Sequence, residues 1–70
     1  MDMKINHYRI HYHEEFKLAN GRVAKLHSRG AQEGVSEEDA AEKFKSRMER
    51  LGHKRDQIII DRIDQAERAA

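Results

Sequence analysis

Histidine and arginine alternate with aromatic and aliphatic residues along NHYRIHYHEEF, residues 6–16. One set of alternate positions holds Tyr8, Ile10, Tyr12, Glu14 and Phe16, and the other holds His7, Arg9, His11, His13 and Glu15. On an extended chain, successive side chains point to opposite faces, so the second set forms one polar row. Neutral imidazoles beside a carboxylate can ligate a transition metal, and His11 and His13 with His7, Glu15 and a cross-strand His27 supply the ligand types. Arg9 and Arg29 on the same face would repel a cation, and His-x-His is an unspecific spacing. The row is therefore read as a contact face and not as a metal site, and no cofactor is expected.

Other chemistries fare less well. Acyl-transfer catalysis needs a nucleophile, a base and an orienting group converging in a pocket. Ser28 falls at a strand end, Ser36 at a helix cap and Ser46 on an exposed helix face, while Glu14 and Glu15 point to opposite sides of a strand. The chain is read as a non-enzyme. Nucleic-acid binding could use Arg9, His11, His13, Lys17, Lys25 and Arg29 as a basic face. The aromatic residues that would stack bases are predicted to point the other way.

These rows need a sheet to present them. Alternation predicts a strand over about residues 4–18, a turn at 19–21 on Asn20-Gly21, and a return strand over about 22–29. A three-residue loop with Gly21 as a bulge residue matches the apolar faces. It is expected to pair Leu18 with Ala24 and Phe16 with Leu26, placing Glu15 opposite His27 and His13 opposite Arg29. Gly30 to Gly34 reads as a loop. VSEEDAAEKFKSRMERLG predicts a helix over about 37–51, with Ser36 as N-cap, acidic residues in the first turn, and Gly52 as terminator. Ala40, Ala41, Phe44, Met48 and Leu51 form its apolar stripe. QIIID, with β-branched residues throughout its centre, favours a closing strand over about 57–64 and a tail over 65–70, while Ile59, Ile63 and Ala66 also share one helical face and leave a helix over 57–70 as the alternative. Regular alternation sends Ile58 and Ile60 to one face and Ile59 and Ile63 to the other, leaving an isoleucine pair on the open side.

The fold class that follows is α+β: a three-stranded antiparallel sheet in the order strand, strand, helix, strand, with the helix on one face. The chain of 70 residues is read as a single domain. Its size supports a net stability of roughly 3–5 kcal/mol without staples, which favours help from a partner or a second copy. The absence of cysteine removes disulfides and thiolate chemistry and suits a reducing cytoplasm. No run approaches the ~20 apolar residues of a membrane span. With 14 Lys+Arg against 13 Asp+Glu, the formal charge is +1, without the strong basic excess of a dedicated nucleic-acid binder. Five histidines make that balance pH-dependent.

The hairpin YRIHYHEEFKLANGRVAKL, the capped helix and the closing QIIID strand are similar in layout to small phage- and prophage-encoded accessory proteins, anti-CRISPR and other host-takeover inhibitors among them. The resemblance covers nearly the whole chain and lies in length and layout. It implies a non-enzymatic protein that occludes a surface of a host protein or complex. The near-zero charge points away from nucleic-acid mimicry. The expected contact residues are Arg9, His11, His13, Lys17, Lys25, Arg29, Ile59 and Ile63. A nucleic-acid-binding accessory protein using the basic residues, and a homodimeric structural module, are the alternatives.

Overall fold

The computed structural model of the chain describes residues 4–66. Its elements run β1 (Asn6–Lys17), β2 (Val23–Gly34), α1 (Glu37–Arg50), a 3-10 turn (Arg55–Gln57) and β3 (Ile58–Ala66). The strands form one antiparallel sheet in the order β2-β1-β3. This is the expected α+β architecture with a single helix.

The hairpin turns through Ala19, Asn20 and Gly21. Leu18 N–H donates to the Arg22 carbonyl at 2.7 Å, and Gly21 N–H donates to the Leu18 carbonyl at 3.0 Å. Gly21 takes φ of 84°, a conformation that glycine adopts without a Cβ penalty, and Asn20 Oδ1 accepts from Arg22 N–H at 3.0 Å. The loop closes on Leu18 and Arg22, so Lys17 pairs with Val23 and Phe16 with Ala24. The expected faces hold, but the register lies two residues from the expected one. Pairing Leu18 with Ala24 would require a five-residue loop. His13 consequently faces His27, Glu15 faces Lys25 and His11 faces Arg29.

β2 also runs farther than its residues suggest, through Gly30 to Gly34, a segment expected to be a loop. Both glycines are strand residues whose missing side chains admit the helix. A Cβ on Gly30 would stand 2.7 Å from Phe44 Cε1, and one on Gly34 would stand 2.7 Å from the Ala40 backbone nitrogen. Close approach of α1 to the sheet, and not turn formation, explains them.

α1 lies along the inner sheet face through Ala40, Phe44 and Met48, which are buried. Phe44 packs edge-on against Tyr12 with ring centroids 4.9 Å apart, and with Ile10, Met48 and Ile58 they form the core. Leu51, expected in the same stripe, is instead the C-cap residue and is 71% exposed. Arg47 crosses the Phe44 ring at 5.4 Å and donates to the Ala31 carbonyl at 2.9 Å, tying the helix to β2. The helix ends in a Schellman motif: His53 N–H donates to the Met48 carbonyl, Gly52 N–H donates to the Glu49 carbonyl, and Gly52 has φ of 101°.

At the other end, Ser36 Oγ accepts from Asp39 N–H at 3.1 Å, and Asp39 Oδ2 accepts from Val35 N–H at 3.0 Å. Lys43 completes the cluster 3.1 Å from Asp39. The Val35 N–H, with Lys43 second, holds the Asp39 carboxyl below its ordinary range. A carboxylate whose pKa is lower folded than unfolded stabilises above its unfolded pKa and loses that effect as pH falls through the folded one. The gap in thermal midpoint between wild type and Asp39→Asn should therefore be widest near neutral pH and close below about pH 4. A gap that persists unchanged to about pH 2 would refute this account.

β3 carries the other departure from simple alternation. Its pairing with β1 passes from His11↔Arg62 to Tyr12↔Ile60, so Asp61 is an extra residue in a bulge. The bulge resets the alternation. Ile58, Ile60 and Ile63 all pack on the helix side, and Ile59 alone of the isoleucines in β3 stands on the open face beside His13. Ile63, expected on the open face, is thus a core-lining residue. β3 extends to Ala66, past the expected end, and positions 67–70 of the expected tail lie outside the described residues.

Candidate open-face site

The sheet face opposite α1 has no covering element among the described residues. β1 contributes His7, Arg9, His11, His13, Glu15 and Lys17 to it, and β2 contributes Lys25, His27, Arg29 and Glu33. The bulge lets β3 add Asp61 and Arg62 as neighbours on the same side, followed by Asp64. Arg9, His11, His13, Lys17, Lys25, Arg29 and Ile59 thus share one face as expected, whereas Ile63 does not.

These side chains form a network of alternating sign. His13 Nδ1 lies 2.9 Å from both carboxylate oxygens of Asp61, and its Nε2 lies 3.4 Å from Glu15 Oε2. His27 Nδ1 is 3.9 Å from Asp61 Oδ2, and the His13 and His27 rings face each other with centroids 5.1 Å apart. His11 Nε2 is 3.0 Å from Asp64 Oδ2, which also accepts from Arg62 Nε at 3.1 Å. Lys25 lies 3.9 Å from Glu15. The hydrogen bond to Asp61 raises the His13 pKa above its ordinary value, with burial opposing and Glu15 adding a smaller push in the same direction.

His13 has a side chain only 10% exposed, so it is fixed in the sheet, whereas His27 at 70% is free to turn. The acidic partners Asp61 and Asp64, and Arg62 between them, were not singled out from the sequence. Their signal is the acid-rich run after QIII. Only knowledge of the bulge places Asp61 and Arg62 on one face.

The inner face holds a second polar pairing. Glu14 occupies the apolar row of β1 between Tyr12 and Phe16, opposite Leu26 on β2 and Ile58 on β3. It is 4% exposed, and its Oε2 lies 3.0 Å from His53 Nδ1. The Schellman turn after α1 delivers His53 to this spot. Beyond it, the inner face of the hairpin leaves Leu18 and Leu26 exposed at 46% and 60%.

A small α+β domain with one sheet face left uncovered by the described residues is the class defined by this geometry. Comparison of the chain with protein-family models, curated proteins and solved structures finds no match. No helix among the described residues is long and apolar enough to cross a membrane.

Proposed function

We propose that the chain is a small non-enzymatic protein-binding module whose contact surface is the open face of the sheet. The observation that carries this reading is a face built by three strands, without a covering layer among the described residues, on which Arg9, Lys17, Lys25, Arg29 and Arg62 are interspersed with Glu15, Glu33, Asp61 and Asp64. Mixed charge around an exposed apolar residue suits a protein partner, where charged rim groups set orientation and specificity. Ile59, 37% exposed, and Val23, 55% exposed across from Lys17, are apolar elements of that face. A phosphate-binding surface would need a sustained excess of cations, and Asp61 and Asp64 reduce it here. Occlusion of a surface on a larger host protein, the role implied by the layout of small phage accessory proteins, is the specific form proposed.

Arg9 and Arg29 are exposed and make suitable probes, whereas His13 is too embedded for a substitution there to report on contact alone. A partner captured by the wild-type chain from the cells that make it should bind Arg9→Glu/Arg29→Glu at least about tenfold more weakly. It should bind Glu38→Lys, on the helix side, unchanged. Equal binding by the wild type and the Arg9/Arg29 variant would overturn the reading. Release of the captured material by nuclease would replace the protein partner with a nucleic acid.

A further inference from the structure

We propose that His13, His27 and Asp61 form a binding site for a divalent transition-metal ion of the zinc class, held between the three strands on the open sheet face. Each strand supplies one ligand: β1 gives His13, β2 gives His27 and β3 gives Asp61. One donor atom from each residue falls within a common 4.8 Å. Tetrahedral zinc with bonds of about 2.0–2.1 Å requires ligand atoms about 3.3 Å apart. The separations of Asp61 oxygens from His13 and His27 nitrogens, 2.9 and 3.9 Å, bracket that value. Closing the set requires the exposed His27 ring to move inward, by up to about 1.5 Å from the 4.8 Å limit on the donor separations.

Two further features point the same way. The ligating nitrogen of a metal-bound histidine usually sits opposite an N–H held by a carboxylate, which fixes the tautomer and orients the ring. His13 has a carboxylate on each side, with Nδ1 hydrogen-bonded to Asp61 at 2.9 Å and Nε2 3.4 Å from Glu15, so a metal replacing the Nδ1 proton would leave Nε2–H directed toward Glu15. The bulge is the second feature, because it turns an extra acidic residue onto the open face, where Asp61 reaches His13 Nδ1 at 2.9 Å.

Two of the nearby cations are matched by acids, and Arg29 has no acidic partner among the described residues. Arg62 lies 3.0 Å from Asp64, and Lys25 lies 3.9 Å from Glu15. Arg29 lines the groove that holds His11, His27 and Asp61. The face as a whole does not repel a cation as a histidine–arginine row alone would. Two imidazoles and one carboxylate leave a fourth position open to water. Binding would join all three strands of a domain that has no cysteine to staple it.

The test uses Zn²⁺ alone with the full chain near pH 7.5, followed by calorimetry and thermal melting, with Mg²⁺ as the hard-cation control. One zinc per chain and a raised melting midpoint are expected in the wild type, with no response to Mg²⁺. His27→Gln removes an exposed ligand without opening the core and should weaken zinc binding more than about tenfold. Glu15→Gln should weaken it about tenfold through His13. His7→Gln, on the same face but outside the set, should bind as wild type does. With Co²⁺, an intense visible absorption of tetrahedral type should appear in the wild type and be absent from His27→Gln. Absence of zinc binding up to about 1 mM, or equal binding by wild type and His27→Gln, overturns the site. A His7→Gln loss as large as that of His27→Gln would also overturn it, by showing diffuse histidine binding.

Discussion

Phe44→Ala should leave the chain largely unfolded at 25 °C. The Phe44 ring is 1% exposed and is the central contact between α1 and the sheet, touching Tyr12 edge-on and filling the space that Gly30 leaves open. Truncating such a ring costs about 3–5 kcal/mol, through lost burial and the cavity that remains. A domain of this length has roughly 3–5 kcal/mol to lose. Gly30 cannot collapse into the void, since it has no side chain, and Arg47 would lose the ring beneath its guanidinium. Urea unfolding followed by far-ultraviolet circular dichroism would show a missing or strongly displaced transition. A cooperative transition within about 1 kcal/mol of wild type would contradict this account of the core.

The second large effect concerns Glu14 and His53. His53 is the hydrogen-bond partner of a carboxyl group that is 4% exposed and set among Leu26, Ile58 and Tyr12. Removing one partner leaves the other buried and unsatisfied, which costs about 1–3 kcal/mol and more if the group is charged. Replacing both partners with apolar groups is often neutral or stabilising. His53→Ala should therefore lower stability by about 1–3 kcal/mol, and adding Glu14→Leu should restore most of the loss. The double-mutant cycle in urea checks both statements. A His53→Ala protein as stable as wild type would mean that water satisfies Glu14 and that the pairing contributes little.

Glu14 also marks what the sequence reveals and what it leaves hidden. Its place in the apolar row is legible from alternation, and so are the buried Tyr8, Ile10 and Tyr12, but its partner is not. His53 reaches it only through a helix-terminating turn whose geometry depends on Gly52. The helix itself is legible because its signals are local: a serine cap, acids in the first turn, and an apolar stripe at the right period.

The sheet is less legible because its details depend on other strands. Gly30 and Gly34 have the composition of a loop, yet they are strand residues chosen for the helix above them. Hairpin faces follow from parity, whereas register follows from where the loop closes. The open-face row of β1 is legible, but its acidic counterparts are not, because Asp61 and Arg62 share a face only through an irregularity that no single strand encodes.

That irregularity bears on how the sheet closes. Ile58, Ile59 and Ile60 offer the same side chain at consecutive positions, so hydrophobicity alone hardly distinguishes the native pairing of β3 with β1 from one slipped along the strand. The extra residue breaks the degeneracy. In the native alignment Asp61 meets the imidazole of His13 and Ile63 returns to the core, whereas a slipped alignment forfeits both at once. The polar bonds of the open face therefore favour the native alignment of the last strand over a slipped one.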